Sequence, residues 1–342
     1  MRFRLLLLFL PVLLGACSKT ATPVQLDFIG NTTLTSGNKV VNPTDTLTTR
    51  AYAVGNDNRL KRLRITVTYK PGPEPILYPV PISGYDPKTG PPEKEIVYLD
   101  SLLNPIVGSN NDSPKGGEFL FENRFSARST SGTELWQYTA TDAAGETASR
   151  AYRLTVRKAD SAAVYHSYTT VLRPVPRTDT TRAARSTRAR ARVFLNLRFG
   201  LLLPKYALLN QENSLQSNQP LVDLIALSSD GTTVSFSAPA DTRALVLNAA
   251  RWPVANRRAT ELRATRLTLA EFSTATTAAA FNAAFTNGTA FPDPLTTGTL
   301  TKNQVIAFRI AEGTATHTGL LLVSDVVLGT APALSCSVRV RK

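Results

Sequence analysis

Alternating apolar and polar residues restrict the fold of this chain more than any other feature of its sequence. Leu63, Ile65, Val67 and Tyr69 are separated by arginine and threonine residues, and a period of two is that of a β-strand with one buried and one solvated face. Comparable short runs recur along the 342 residues, whereas Glu, Lys and Met, which favour helices, are scarce. The sequence therefore predicts an all-β protein, and its length favours two domains.

The predicted domains are two β-sandwiches joined by a linker. The first covers residues 25–158, and the second covers residues 193–342. A small helical insertion is predicted near 268–287, where a threonine and a glutamate have the spacing of a helix capping box. Residues 159–192 are rich in arginine, threonine and alanine, which is typical of a linker. Because few apolar residues lie there, we expect the two domains to be separable.

One hairpin resembles part of a known domain type. The run from Leu135 to Ala148 reads Leu-Trp-Gln-Tyr-Thr-Ala-Thr-Asp-Ala-Ala-Gly-Glu-Thr-Ala, and residues 152–156 read Tyr-Arg-Leu-Thr-Val. This pattern of strand, Asp-Ala-Ala-Gly turn and strand resembles the last hairpin of immunoglobulin-like repeats in bacterial surface proteins. The resemblance implies that the first sandwich is immunoglobulin-like, of the type that lacks paired cysteines.

The N-terminus resembles that of a bacterial lipoprotein precursor. Two arginines precede an apolar stretch of ten residues, which is too short to span a bilayer as a stable helix. The stretch ends in Leu-Gly-Ala-Cys at residues 14–17, which is similar to the lipobox of such precursors. The resemblance implies a removable signal peptide over residues 1–16, a lipid on Cys17 and a lipidated tether over residues 17–24.

The sequence after the cysteine also carries information about location. Ser18 is similar to the residue that directs lipoproteins to the outer membrane, and residues 19–22 lack the acidic cluster of surface-exported Bacteroidota lipoproteins. The resemblance implies an outer-membrane lipoprotein that faces the periplasm. The second domain loosely resembles the C-terminal domains of uncharacterised Bacteroidota lipoproteins. The features that carry this second resemblance lie at Asp223, Trp252, Phe281 and residues 318–321.

Positive charge is concentrated in one segment. The formal net charge is +14, and the stretch from Arg173 to Arg192 holds seven arginines against one aspartate. The candidates for contact with an anionic surface are Arg182, Arg185, Arg188, Arg190 and Arg192. They are interpreted as solvated linker residues, as the wet face of a strand, or as a contact to anionic headgroups, lipopolysaccharide or cell-wall carboxylates. The export signal excludes nucleic acid as a natural partner.

Residues for catalysis or metal binding are few. The chain has two histidines, two cysteines and no Gly-x-Ser-x-Gly motif, so a triad hydrolase, a zinc site and an intramolecular disulfide have no support. Cys336 follows the alternation of a strand and is interpreted as a small buried residue. The runs at 56–58 and 110–112 offer oxygen ligands for calcium but are more typical of turns. Neither a cofactor nor a metal is predicted.

One carboxylate has an unusual sequence context. Asp223 shares a face with Leu221, Ile225 and Leu227 in a predicted strand. It is therefore expected to be at least half-buried and to pair with a backbone amide or an arginine. A structural role is favoured over a functional one.

These features favour a noncatalytic binding or assembly module, anchored in the membrane by lipid, with an envelope protein or a glycan as its partner. Two alternatives stay open. A carbohydrate-binding accessory lipoprotein would present aromatic side chains on one sheet face, for which Trp136, Trp252 and Tyr206 are the candidates. An enzyme without a recognisable motif is the other.

Overall fold

The computed structural model describes residues 22–43, 45–71, 94–105, 116–128, 132–157, 164–209, 213–242 and 247–342. The structure is mostly β, with 48% strand and 14% helix, which confirms the all-β class. None of the described helices is long and apolar enough to cross a membrane. The predictions for the signal peptide, for Cys17 and for the run at 110–112 lie outside the described residues.

The first half of the chain, up to residue 157, forms a two-sheet sandwich. Its strands are β1 (Val24–Ile29), β2 (Lys39–Val41), β3 (Thr46–Gly55), β4 (Leu60–Pro71), β5 (Lys94–Leu102), β6 (Glu118–Ser126), β7 (Gly132–Asp142) and β8 (Thr147–Val156). One sheet has the order β1-β3-β6 and the other the order β2-β8-β7-β4-β5. β2 pairs with β8 in parallel, whereas the other pairs are antiparallel. This arrangement is that of an immunoglobulin-like sandwich.

The alternation that predicted β4 places its apolar side chains in the core. Leu63, Ile65, Val67 and Tyr69 are buried, and the residues between them are half-buried or exposed. β7 alternates in the same way, so Trp136 lies in the core next to them. Local periodicity was therefore sufficient to predict which faces of β4 and β7 are buried.

The second half of the chain, from residue 164, is a larger sandwich with short helices. Its strands are β9 (Tyr165–Leu172), β10 (Arg192–Asn196), β11 (Leu201–Pro204), β12 (Leu224–Leu227), β13 (Ser235–Ser237), β14 (Glu261–Ala264), β15 (Thr289–Ala290), β16 (Val305–Glu312), β17 (Ala315–Val327) and β18 (Ala333–Arg341). They form one sheet in the order β11-β10-β12-β13 and another in the order β15-β14-β16-β17-β18-β9. Leu195, Phe236, Phe308 and Val338 share a buried cluster that fills the space between these sheets.

Four α-helices and two 3-10 helices are described in this half. They are α1 (Arg182–Arg190), α2 (Tyr206–Leu209), α3 (Leu269–Thr274) and α4 (Ala278–Asn287), with 3-10 helices at Asn213–Leu221 and Val254–Asn256. α3 and α4 lie in the interval predicted to be helical, and α3 begins with both hydrogen bonds of the Thr268–Glu271 capping box. Phe272 and Phe281 pack against Leu320 on the outer face of the larger sheet. The insertion therefore covers that face.

The linker predicted over residues 159–192 is corrected where the structure describes it. Tyr165–Leu172 forms β9, which pairs with β18 along its whole length. Arg182–Arg190 forms α1, whose N-terminus is capped by the side chain of Thr181. Four of the five candidate arginines therefore lie on a helix, whereas Arg192 is the first residue of β10. The chain continues from α1 into a hairpin of β10 and β11, in which Gly200 supplies a φ of 65° between the two strands.

A shared hydrophobic core joins the two halves. Trp252 is fully buried in the same cluster as the core of the first sandwich, and its ring lies 6.0 Å from that of Phe194. The ring of Tyr206 packs edge-on against Tyr98 at 6.2 Å and against Phe121 at 6.0 Å. Because aromatic residues of one half are packed against those of the other, the structure gives no support to the expectation that the halves are separable.

Candidate functional site

A cleft of about 1040 Å³ lies between the two halves. Its walls are β6, an edge strand of the first sandwich, β9, an edge strand of the second, and helix α1. We call it the central cleft. β9 is held by its pairing with β18, and α1 begins at its cap on Thr181. The central cleft therefore depends on two segments that were predicted to be linker.

Four arginines from different elements line the central cleft. Arg124 comes from β6, Arg173 follows β9, Arg190 ends α1, and Arg192 begins β10. The first three are exposed and form no ion pair within the described residues. Arginine presents five N–H donors in a planar fork that matches carboxylate, sulfate and phosphate groups. The arrangement therefore offers several unoccupied donors for an anion.

The carboxylates that line the central cleft are already engaged. Glu122 pairs with Arg50 at 2.8 Å, and the side chain of Asp179 accepts the backbone N–H of Thr181 at 3.0 Å. That hydrogen bond lowers the pKa of Asp179. Neither carboxylate is paired with a cleft arginine in the described residues, so positive charge dominates the cleft.

Arg192 is the most buried of the four arginines. It is half-buried, and its Nη1 donates to the Ser126 hydroxyl at 2.9 Å. Burial lowers the pKa of its guanidinium, and the charges of Arg124 and Arg173 act in the same direction. An arginine remains protonated in proteins in spite of such a shift. These guanidinium groups therefore repel one another, and a bound anion would relieve that repulsion.

The floor of the central cleft is held by a chain of hydrogen bonds that enters the first sandwich. The Tyr206 hydroxyl donates to Asn123 Oδ1 at 3.2 Å, and Asn123 Nδ2 donates to the Tyr138 hydroxyl at 3.0 Å. Tyr138 and Tyr152 are joined at 3.4 Å, and Tyr152 and Thr49 at 2.8 Å. Burial raises the pKa of Tyr206 to about 12. Tyr206 is thus a neutral, fixed residue rather than a mobile one.

The structure divides the predicted arginine tract. Arg190 and Arg192 line the central cleft, whereas Arg182 and Arg185 are exposed on α1 and do not. Arg188 donates to the backbone carbonyls of Pro176 and Asp179, so its guanidinium is used to fix the start of its own helix.

Sequence reasoning missed two of the cleft arginines. Arg173 was counted in the basic segment but not selected, and Arg124 lies in a distant strand with no local signal. Only the packing of β6 beside α1 brings Arg124 to the others.

Asp223 lies in a separate polar centre. It is fully buried, and its carboxylate accepts the N–H of Leu197 at 2.7 Å and Nη1 of Arg258 at 2.6 Å. Both of the expected kinds of partner are present. Glu312 lies 3.8 Å from Arg258 and pairs with Arg198 at 2.8 Å. Burial raises the pKa of Asp223 to about 6, opposed mainly by the charge of Arg258, so the carboxylate is ionised at neutral pH.

The histidines and Cys336 are placed in strands rather than in a reactive site. His317 lies in β17 with Nε2 4.0 Å from Glu312, and burial lowers its pKa. His166 lies in β9, where burial lowers its pKa to about 4. Cys336 is buried, which raises the pKa of its thiol. In the part of the chain that the structure describes, no three His, Cys, Asp or Glu side chains are grouped as metal ligands.

The aromatic candidates for sugar stacking are not displayed on a sheet face. Trp136 is 2% exposed and Trp252 is 0% exposed. The ring of Tyr206 packs against aromatic neighbours. The two tryptophan candidates of the carbohydrate-binding alternative are therefore core residues, because Trp136 lies on the buried face of β7 and Trp252 lies in the shared core.

Comparisons with known proteins add little to this picture. A DUF4466 family protein from Parabacteroides merdae matches with a TM-score of 0.32 and 10% identity, over 94% of this chain and 99% of its own. Spo0M, a sporulation control protein from Bacillus subtilis, matches with a TM-score of 0.24 and 13% identity, over 66% and 83%. A beta-glucosidase from Listeria innocua matches with a TM-score of 0.21 and 9% identity, over 42% and 17%. TM-scores this low carry no argument about function. No protein-family model and no curated protein matches the chain.

Proposed function

We propose that this protein is a noncatalytic binding module, anchored by lipid at the outer membrane, and that the central cleft binds an anionic ligand. The observation that carries the proposal is the set of four cleft arginines, whose charge no carboxylate of the described cleft neutralises. Unpaired cations gathered from separate elements are costly for folding, because like charges repel. A binding role accounts for that cost.

The cleft also fits a binding role better than an enzymatic one. Its described lining contains no histidine or cysteine, and its carboxylates are Glu122 and Asp179, which are engaged elsewhere. General acid–base catalysis requires a titrating group that can reach the substrate. Arginine and threonine bind and orient ligands but do not titrate near neutral pH.

Arg190→Gln is expected to weaken the binding of an anionic polymer, whereas Arg185→Gln is not. Both residues lie on α1 and both changes remove one positive charge, but only Arg190 lines the central cleft. Loss of one charge-assisted hydrogen bond corresponds to roughly 10- to 100-fold in affinity. Titration calorimetry with heparin and with polyglutamate measures the effect, and Arg192→Gln provides a second cleft variant.

Two results would contradict the proposed function. If Arg185→Gln and Arg190→Gln weaken binding equally, the net positive charge of the protein is responsible rather than the cleft. If neither heparin nor polyglutamate binds, the cleft does not take an anionic polymer. The measurement is repeated at higher salt, because exposed charges are screened over about 8 Å at physiological ionic strength.

Cys17→Ser is expected to abolish the incorporation of a fatty-acid analogue, because the acyl groups would be attached through the cysteine thiol. Cys336→Ser is the matched control, since Cys336 is buried in β18 and is expected to carry no lipid. Metabolic labelling in the producing bacterium followed by gel fluorescence measures both variants. Full label on the Cys17→Ser protein would show that the anchor is not at this residue.

A further inference from the structure

From the lining of the central cleft we infer that its ligand is an acidic oligosaccharide, held by arginines and threonine hydroxyls without aromatic stacking. The inference rests on the proposed function, since it names the class of anionic ligand. It replaces the aromatic platform expected of a carbohydrate-binding module with polar recognition.

The size and charge distribution of the cleft favour a ligand with several anionic groups. A volume of about 1040 Å³ slightly exceeds the roughly 300–1,000 Å³ that small-molecule pockets occupy. Arg124 projects from the first sandwich, whereas Arg173, Arg190 and Arg192 belong to the second half. A single inorganic anion would engage only part of this set. An oligomer with an anionic group on successive units could engage both sides.

The hydroxyl groups of the cleft favour a sugar. Thr46 and Thr48 of β3, Thr169 of β9 and Thr187 of α1 line the cleft among the arginines. Their side chains form no hydrogen bond within the described residues. A hydroxyl both donates and accepts hydrogen bonds, so it suits sugar hydroxyls, which do the same. A polymer of carboxylates alone would leave these donor-acceptor groups without matched partners.

The apolar part of the lining disfavours a peptide. Its described apolar residues are small, chiefly alanine, proline and valine, and include no leucine, isoleucine, phenylalanine or tryptophan. Peptide partners are usually held by large side chains in apolar pockets. Tyr206, the aromatic residue of the described lining, is held against Tyr98 and Phe121, so a neutral sugar would find no free ring to stack on. Charge and hydroxyl groups are what remains for recognition.

The experiment compares four probes of similar length by titration calorimetry on the full-length protein. They are a heparin-derived hexasaccharide, the same hexasaccharide after desulfation and N-acetylation, maltohexaose and hexaglutamate. At least one of the two acidic hexasaccharides is expected to bind roughly 10-fold or more tightly than hexaglutamate, and maltohexaose is expected not to bind. The two acidic sugars distinguish sulfate from carboxylate as the recognised group, and either result supports the inference.

A threonine variant tests the role of the hydroxyls separately from that of charge. Thr169→Val keeps the shape of the side chain and the net charge. It is expected to lower the affinity for the acidic hexasaccharide by roughly 2- to 10-fold. Thr155→Val, at an exposed position of β8 outside the cleft, is the matched control. Equal affinities of these two variants and the parent protein would overturn the role given to the hydroxyls.

The outcomes separate this inference from the proposed function. Hexaglutamate could bind as tightly as the acidic sugars, with an affinity that Arg190→Gln lowers. The cleft would then bind anions without selecting sugars, so only the inference fails. If none of the three anionic probes binds, both fail. Binding of maltohexaose as tight as that of the acidic sugars would also overturn both, because charge would then play no part.

Discussion

Glu134→Ala is expected to lower the free energy of unfolding by about 3–5 kcal/mol. Glu134 pairs with Arg128 and accepts the Trp136 indole N–H at 2.9 Å. The side chains of Arg128 and Glu134 are 4% and 2% exposed. Removal of the carboxylate would leave the guanidinium of Arg128 buried without its ion pair. Its other described contact is with the Tyr69 ring, whose centre lies 4.2 Å from Arg128 Cζ. A cation–π contact does not replace an ion pair of this kind.

Glu122→Ala is the matched control for this prediction. Glu122 also pairs with an arginine, Arg50, but the two side chains are 38% and 46% exposed. An exposed pair contributes about 0–1 kcal/mol. Urea unfolding of both variants measures the difference. A similar decrease in the free energy of unfolding of the two would show that burial does not determine how much the Arg128–Glu134 pair stabilises the fold.

Asp223→Ala is also expected to lower the free energy of unfolding by about 3–5 kcal/mol, because it too removes a buried carboxylate from its partners. The change would leave the N–H of Leu197 without its acceptor and Arg258 without its nearest carboxylate. Glu312, at 3.8 Å from Arg258, is too far to form a hydrogen bond in its place. Urea unfolding is measured at neutral pH, because the carboxylate of Asp223, with its pKa of about 6, is charged there.

Asp325→Ala provides the comparison for Asp223. Asp325 pairs with Lys302 at 3.2 Å, but the side chains are 50% and 63% exposed. We expect a loss of at most about 1 kcal/mol from this change. If Asp223→Ala proves as mild as Asp325→Ala, then Arg258 finds other partners and Asp223 is not the centre of its cluster.

Those parts of the fold that depend on local pattern could be predicted from the sequence. The alternation in β4 and β7 determines which side chains face the core, because successive strand residues point to opposite faces. The Thr268–Glu271 pair lies within one helical turn, so its capping box is visible in the sequence. The burial of Asp223 was predicted correctly from its apolar neighbours, although the predicted strand face was wrong, because β12 begins at Leu224 and the residues from 222 to 226 are all buried.

The parts that depend on distant partners could not be predicted. β9 has a polar sequence around Tyr168, Thr170 and Leu172, and it becomes a strand because β18, near the other end of the chain, supplies its hydrogen bonds. α1 has one buried side chain among its described residues, Ala184, so no apolar stripe marks it as a helix. The central cleft depends on both elements. Its four arginines therefore could not be grouped from the sequence.

The shared core limits how a chain of this kind can change during evolution. Asn218 of the second half donates to the carbonyl of Val97 in the first half and to that of Ala207, and Trp252 shares a cluster with the first sandwich. A gene rearrangement that exchanged the first half for another immunoglobulin-like unit would remove these contacts and expose apolar surface. The two halves therefore depend on each other for the burial of their shared core, and the cleft between them depends on both.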